Sequence, residues 1–170
     1  MCYNGLSFLE HLSLAMPKLK IYLETTLFNY YFDTDREAHA DTVRLFKEIA
    51  AGKYEAFTST VVIDELAKAP AAKYAAMSAL VRQYQIKMLL PNPDAEKLAD
   101  LYLAEKIVPK KYRNDGLHIA LSTVNHLDII ASLNFNHIVK LKVLQMTGFI
   151  NATQGYRPVA IVSPKELVSK

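Results

Sequence analysis

Four short stretches carry side chains that could meet and do chemistry: Glu24 in KIYLETT, Glu65 in TSTVVIDELAKAP, Asp115 in YRNDGLHIAL and Asn134 in SLNFNH. Carboxylates gathered at one place repel each other and raise one another's pKa unless a cation neutralises them. The chain has a single cysteine, Cys2, which excludes a cysteine-based zinc cluster. Hard oxygen donors of this kind suit Mg2+ or Mn2+. Such an ion can activate water and stabilise charge on a phosphodiester during hydrolysis. Each acid also has an ordinary reading when taken singly. Asp115 favours a helix start, Glu65 fits an exposed helical face, Asp128 fits a turn, and Glu24 fits a solvated strand end. The argument for a site is their recurrence on separate elements. Asp64 lies one helical position, about 100°, from Glu65, so the two do not share it.

The elements that must position these acids alternate along the chain. Residues 19–23 read as a strand, followed by a short helix or turn in LFNYYFD. REAHADTVRLFKEIAAGK places Ala40, Val43, Phe46 and either Ile49 or Ala50 on one helical face, with Gly52 as a stop. YEAFTS reads as a strand; Thr60 is then expected to cap VVIDELAKA, which Pro70 closes. AAKYAAMSALVRQY is a helix by propensity, IKMLLP a strand, and PDAEKLADLYLAEKI a helix with Pro93 in its first turn. NDGLHIALSTVNH is a helix with Asn114 as the expected N-cap, and LDIIASL and PVAIVSP are strands before a last turn in PKELVSK. Strands separated by helices argue for a parallel α/β sheet with helices on both faces. Ligands of such sheets bind beyond the carboxyl ends of the strands. Glu24, Glu65 and Asp115 all fall at that rim.

Length and composition bound the remaining choices. The 170 residues suit one domain, which we place at residues 18–170 after an N-terminal extension, residues 1–17. A formal charge of +3 sets up no global field, so any nucleic-acid contact must come from local patches. No stretch approaches the roughly 20 apolar residues that span a bilayer. No Lys or Arg precedes Lys18, and Glu10 and His11 interrupt the apolar run, which disfavours a signal peptide. One cysteine fits a reducing, cytoplasmic setting. A Gly-rich phosphate loop is missing.

Taken together, KIYLETTLFNYYFD, TSTVVIDELAKAP, YRNDGLHIALSTVNHLDIIASLNFNHIVK and GYRPVAIVSPKEL resemble the PIN domain family. The closer resemblance is to its bacterial and archaeal members similar to VapC-type ribonucleases, in order over roughly residues 18 to 168. The resemblance implies a three-layer α/β/α sandwich around a parallel sheet, with acids that hold one or two divalent ions and cleave single-stranded RNA or DNA. Glu24 stands where the family most often has Asp, Glu65 matches the acid of a Ser-x-x-x-x-x-Glu-Leu pattern beginning at Ser59, and Asp115 opens the Asp-x-x-His-Ile-Ala helix. Asn134, two residues after Ser132, takes the place of a fourth acid. The implied metal ligands are therefore Glu24, Glu65 and Asp115, with Asn134 completing the catalytic set and Asp128 read as structural.

Two departures bear on activity. Glutamate at 24 moves the carboxylate outward by about one C–C bond, and ~1 Å of misplacement can cost on the order of 100-fold in rate. Asn134 removes a charge but keeps a carbonyl able to ligate or orient water. Thr25 supports the first acid or caps a helix. His118 reads as a packing histidine first and as a base beside Asp115 second. Lys106, Lys110, Lys111 and Arg113 approach Asp115, and Lys140 and Lys142 follow His137. The expected substrate contacts are Thr25, Ser59, Ser132, His137, Lys111 and Arg113, with Tyr112 as a stacking platform. Tyr30 and Tyr31 read as core. Expected partners are single-stranded RNA, an antitoxin protein and a second copy of the chain packed through helices 71–84 and 93–107. The alternative is a PIN-fold protein that binds RNA or a partner without efficient cutting. A receiver or aspartyl phosphatase is disfavoured because LETT lacks the Asp-x-Asp-x-Thr pattern.

Overall fold

The structure, a computed structural model, describes residues 17–168; the expected extension therefore lies almost wholly outside the described residues. The strand β1 (Leu19–Leu23) buries Ile21, Tyr22 and Leu23 completely. A short run buried on both faces is the signature of a central strand in a parallel sheet. It is flanked by β2 (Tyr54–Ser59) on one side and β4 (Ile129–Ala131) on the other. Outside these lie β3 (Lys87–Leu89) and β5 (Ala160–Val162), giving a five-stranded, all-parallel sheet of order β3-β2-β1-β4-β5. The fold is a three-layer α/β/α sandwich.

Eight helices accompany the sheet within the described residues: α1 (Thr25–Phe32), α2 (His39–Ala50), α3 (Thr60–Leu66), α4 (Ala71–Gln83), α5 (Pro93–Ala104), α6 (Arg113–Val124), α7 (Leu141–Thr153) and α8 (Pro164–Leu167). None is long and apolar enough to cross a membrane. The strand order reverses between β1 and β4, and the crevice at such a switch point is where ligands of open α/β sheets bind. Register fixes that crevice: Leu23 pairs with Ala131, so the residues following each strand emerge side by side.

Local expectations needed four corrections. The buried face of α2 is Thr42, Leu45, Phe46 and Ile49, so Ala40 and Ala50 face outward. Ser59, not Thr60, is the N-cap of α3, because the extended backbone of β2 runs through Ser59 before the helix begins. Tyr112 ends a 3-10 turn (Lys110–Tyr112) and takes the N-cap place of α6, which puts Asn114 inside the first helical turn. The helix α7 went unread. Its buried stripe is Val143, Thr147, Ile150 and Asn151, whereas Leu141 and Phe149 are 70% and 66% exposed. A helix that buries Thr and Asn while exposing Leu and Phe carries no amphipathic signature. Tyr102 of α5 donates to Asn151, which donates to Thr123 of α6 at 3.1 Å, and this buried network makes the polar stripe tolerable.

Candidate metal centre

Glu24 leaves β1 and becomes the N-cap of α1. Its Oε2 accepts from the Thr26 amide at 3.2 Å, the Thr26 hydroxyl at 2.5 Å and the Ser132 hydroxyl at 2.9 Å. The same Thr26 hydroxyl accepts from the Leu133 amide at 2.9 Å, and Ser132 Oγ accepts from the Asn134 amide at 3.0 Å. The loops after β1 and β4 are thus laced together around one carboxylate oxygen. Glu24 is 3% exposed. The extra methylene relative to aspartate is used to fold the carboxylate back over the helix start, where the backbone amides favour negative charge.

Glu65, on α3, faces the same crevice. Thr25 Oγ1 and His118 Nε2 (3.3 Å) reach its Oε2, and Asn114 Nδ2 donates to its Oε1 at 2.9 Å. Burial pushes the Glu65 carboxyl up, but the His118 hydrogen bond and charge, with Thr25 and Asn114, outweigh it and hold the pKa at about 2. Asp64 points outward, as expected. Asp115, in the first turn of α6, is the opposite case. Burial first, with the charges of Glu24 and Glu65, pushes its carboxyl up to about 6, against the pull of His118 and Asn134. Its Oδ1 accepts from Asn134 Nδ2 at 3.3 Å, whereas Oδ2 is buried with no hydrogen-bond partner.

His118 packs in the interior, as its sequence setting suggests, but it also takes part in the site. It is completely buried, with Nδ1 2.7 Å from the Tyr22 hydroxyl and Nε2 on Glu65. Burial lowers its pKa, but the acids, Glu65 foremost, raise it above the ordinary histidine value. Ligand-type atoms of Glu24, Glu65 and His118 lie within 4.8 Å of one another. Both imidazole nitrogens are already hydrogen-bonded, so His118 is better placed to hold Glu65 than to ligate an ion itself. The orphaned Asp115 Oδ2 supplies the test of fit. A buried carboxylate oxygen without a donor, beside two further carboxylates, is the donor set of a hard divalent cation.

Other expected roles change with the geometry. Ser59 and Ser132 are fully buried and bonded to Tyr22 and Glu24, which turns their hydroxyls inward to brace the centre. Thr25 likewise gives its hydroxyl to Glu65. Arg113 pairs with Glu96 and, at 2.9 Å, with Asp100, so α5 takes up its charge. Asn134 turns its amide N–H to Asp115, and its Oδ1 accepts from the His137 amide at 3.2 Å. Its carbonyl oxygen is therefore engaged by its own loop. Asp128 accepts from the Lys20 amide at 2.8 Å and pairs with Arg157 at 3.1 Å, a structural role as expected. Tyr31 packs against Phe46 and Tyr84. His137 stacks on Tyr112 with ring centroids 3.6 Å apart, and Lys111 Nζ lies 4.7 Å from the Tyr112 ring. Tyr22 and Asn114 were missed. Tyr22 sits in an apolar run, and Asn114 in a place that suits a cap, so local sequence gave each a sufficient explanation. A cavity of about 540 Å³ between α5 and the end of α7 is lined by Asp94, Lys97, Asp100 and Tyr156 among others and contains neither Glu24, Glu65 nor Asp115.

No family model and no curated protein matches the sequence. Solved structures do match its shape. A chain of VapBC2 from Rickettsia felis, bound to a DNA fragment from its promoter, aligns over 85% of this chain and 98% of its own, at a TM-score of 0.54 and 10% identity. VapC20 of Mycobacterium tuberculosis, a Sarcin-Ricin loop cleaving toxin, aligns over 65% of this chain and 86% of its own, at 0.50 and 16%. The chain has a VapC-like PIN fold. At these identities the likeness is one of fold. In this PIN fold Glu24 and Glu65 cluster with His118 where β1 and β4 part, the place the strand order singles out, and Asp115 lies outside that tight group but close enough to feel the charge of both acids.

Proposed function

We propose that this chain is a divalent-metal-dependent endoribonuclease that hydrolyses single-stranded RNA. The observation that carries the reading is the buried, donorless Oδ2 of Asp115 beside Glu24 and Glu65. Mg2+ or Mn2+ held by these three carboxylates would lower the pKa of a bound water and offset charge on the phosphodiester. The protein's own part is to keep the donors fixed: Thr26 and Ser132 hold Glu24, Thr25, Asn114 and His118 hold Glu65, and Asn134 holds Asp115. Lys111 and the Tyr112–His137 stack stand beside the start of α6, which carries Asp115, and the loop that carries Asn134, and offer a cation and aromatic faces to an RNA strand. His137 keeps its substrate role in this proposal; Arg113 does not.

The solved VapBC2 neighbour supports an antitoxin partner, with the chain as the toxin of a toxin–antitoxin pair in the cytoplasm. The homodimer proposal, through helices 71–84 and 93–107, is supported by the outward alanines Ala71, Ala72, Ala75 and Ala76 of α4, a low surface that carries the exposed charge of Lys73. The test of the chemistry is an assay on single-stranded RNA with Mn2+, with EDTA, and with Asp115→Asn. Cleavage is expected only for the wild type with metal, with a loss of ~100-fold or more in the variant; activity that survives EDTA or the substitution rules the mechanism out. A second reading, binding of RNA without efficient cleavage, is favoured by Asn134, which stands neutral where a fourth acid is usual and has its carbonyl engaged by its own loop. RNA affinity without metal binding in a calorimetric titration would select it.

A further inference from the structure

Glutamate reaches its site through three rotatable bonds, so an unbraced Glu65 would sample several positions. Two of its donors, Thr25 and Asn114, come from half-buried residues at the crevice wall. The third comes from the interior. His118 Nε2 meets Glu65 Oε2 at 3.3 Å, and the ring is fully buried in α6. An imidazole still turns about its own axis unless its second nitrogen is held. The Tyr22 hydroxyl holds it, 2.7 Å from Nδ1, and lies 2.6 Å from Ser59 Oγ. Ser59 is the N-cap of α3, the helix that carries Glu65, so the hydrogen bonds close a loop through β1, α6 and α3. The phenol is as buried as its aliphatic neighbours Ile21 and Leu23. A hydroxyl placed there costs free energy unless it is bonded, and a phenylalanine would fill the space without that cost. Tyr22 and Glu24 lie two residues apart, the spacing that puts side chains on one face of a strand. The C-terminal end of β1 and the residue just after it therefore deliver the brace of the second acid and the first acid itself.

We propose that Tyr22 and His118 are positioning residues that make Glu65 a rigid donor, and that this rigidity selects a small octahedral ion, Mg2+ or Mn2+, over Ca2+. The proposal rests on the metal-site reading above. Ca2+ tolerates longer bonds and variable coordination, whereas the smaller ions demand fixed, near-octahedral donors. Loosening Glu65 should therefore penalise Mn2+ far more than Ca2+. Removing an outer hydrogen-bond partner of a metal ligand typically costs 10–100-fold in affinity.

The experiment is titration of the full chain with Mn2+, and with Ca2+ in competition, for wild type, Tyr22→Phe, His118→Ala and His118→Gln, with thermal melts to establish folding. Tyr22→Phe and His118→Ala are expected to weaken Mn2+ binding ~10-fold or more, leave Ca2+ nearly unchanged and so narrow the Mn2+/Ca2+ ratio. His118→Gln keeps an N–H able to reach Glu65 and should recover part of the loss. A folded Tyr22→Phe protein with the wild-type ratio overturns the proposal, since a merely structural role would lower the melting temperature without moving it. Wild type that binds no Mn2+ at all overturns the metal site itself, and the brace with it.

Discussion

Asp115 holds the least settled charge in the crevice, and its surroundings predict a pH dependence. Its folded pKa, about 6, lies above the ordinary carboxylate value of 3.8, so the metal-free folded state keeps a proton that the unfolded chain releases. That contribution to stability is complete below about 4 and is lost as pH rises through about 6. Glu65 acts in the other direction: held at about 2, it stabilises the fold above 4.5 and loses that effect as pH falls toward 2. A metal must displace the Asp115 proton at low pH but not at high pH. The rise in melting temperature on adding Mn2+ should therefore be larger at pH 8 than at pH 5, and an equal rise would show that Asp115 takes no part. Glu24 supports a second prediction. Its Oε2 accepts three hydrogen bonds with the carboxylate in its present place, from which a shorter side chain would be drawn back. Glu24→Asp should weaken Mn2+ binding ~10-fold, although aspartate is the residue usual in the family; tighter binding would show that the glutamate is a handicap.

At the scale of elements, α6 shows how packing and local sequence can diverge. Gly116 sits directly after Asp115, yet its position requires no glycine. A Cβ added there would meet only ordinary contacts, 3.8 Å from the Ala99 carbonyl and the Tyr102 ring. Gly116→Ala should stabilise the protein by roughly 0.5–1 kcal/mol through helix propensity alone, as read by urea unfolding. Destabilisation would mean that α5 and α6 are packed more tightly than those distances show. The helix α7 makes the complementary case. Its buried Thr147 and Asn151 could not be told from surface residues before α5 and α6 were in place to bond or cover them. Legibility here follows the physics. A strand buried on both faces announces itself by composition, as Ile21–Leu23 of β1 do, whereas a helix stabilised by a polar contact does not.

Across the whole molecule, the formal charge of +3 is small, so the proposed RNA binding would depend on local cations such as Lys111 at the rim. Each phosphate neutralised adds to the salt dependence of binding, with a slope of about 0.7 per contact for single strands. Lys111→Ala should weaken RNA binding and reduce the slope of log affinity against log salt by about that amount. Arg113→Ala should leave the slope unchanged, because Glu96 and Asp100 already neutralise its charge.

The sequence by itself determined the alternation of strands and helices, and with it the parallel sheet and the rim at which Glu24, Glu65 and Asp115 emerge. Those features are set by local periodicity and by apolar runs, which short segments carry on their own. Only the tertiary structure decided how the acids are held. Tyr22, Ser59, Asn114 and His118 come from β1, the β2–α3 junction and α6, and each had an adequate local explanation as core, cap or packing. Hydrogen bonds between residues 37 and 96 positions apart leave no period in the chain. They exist because the sheet order places β1 at the centre, where one strand can reach the elements on both sides.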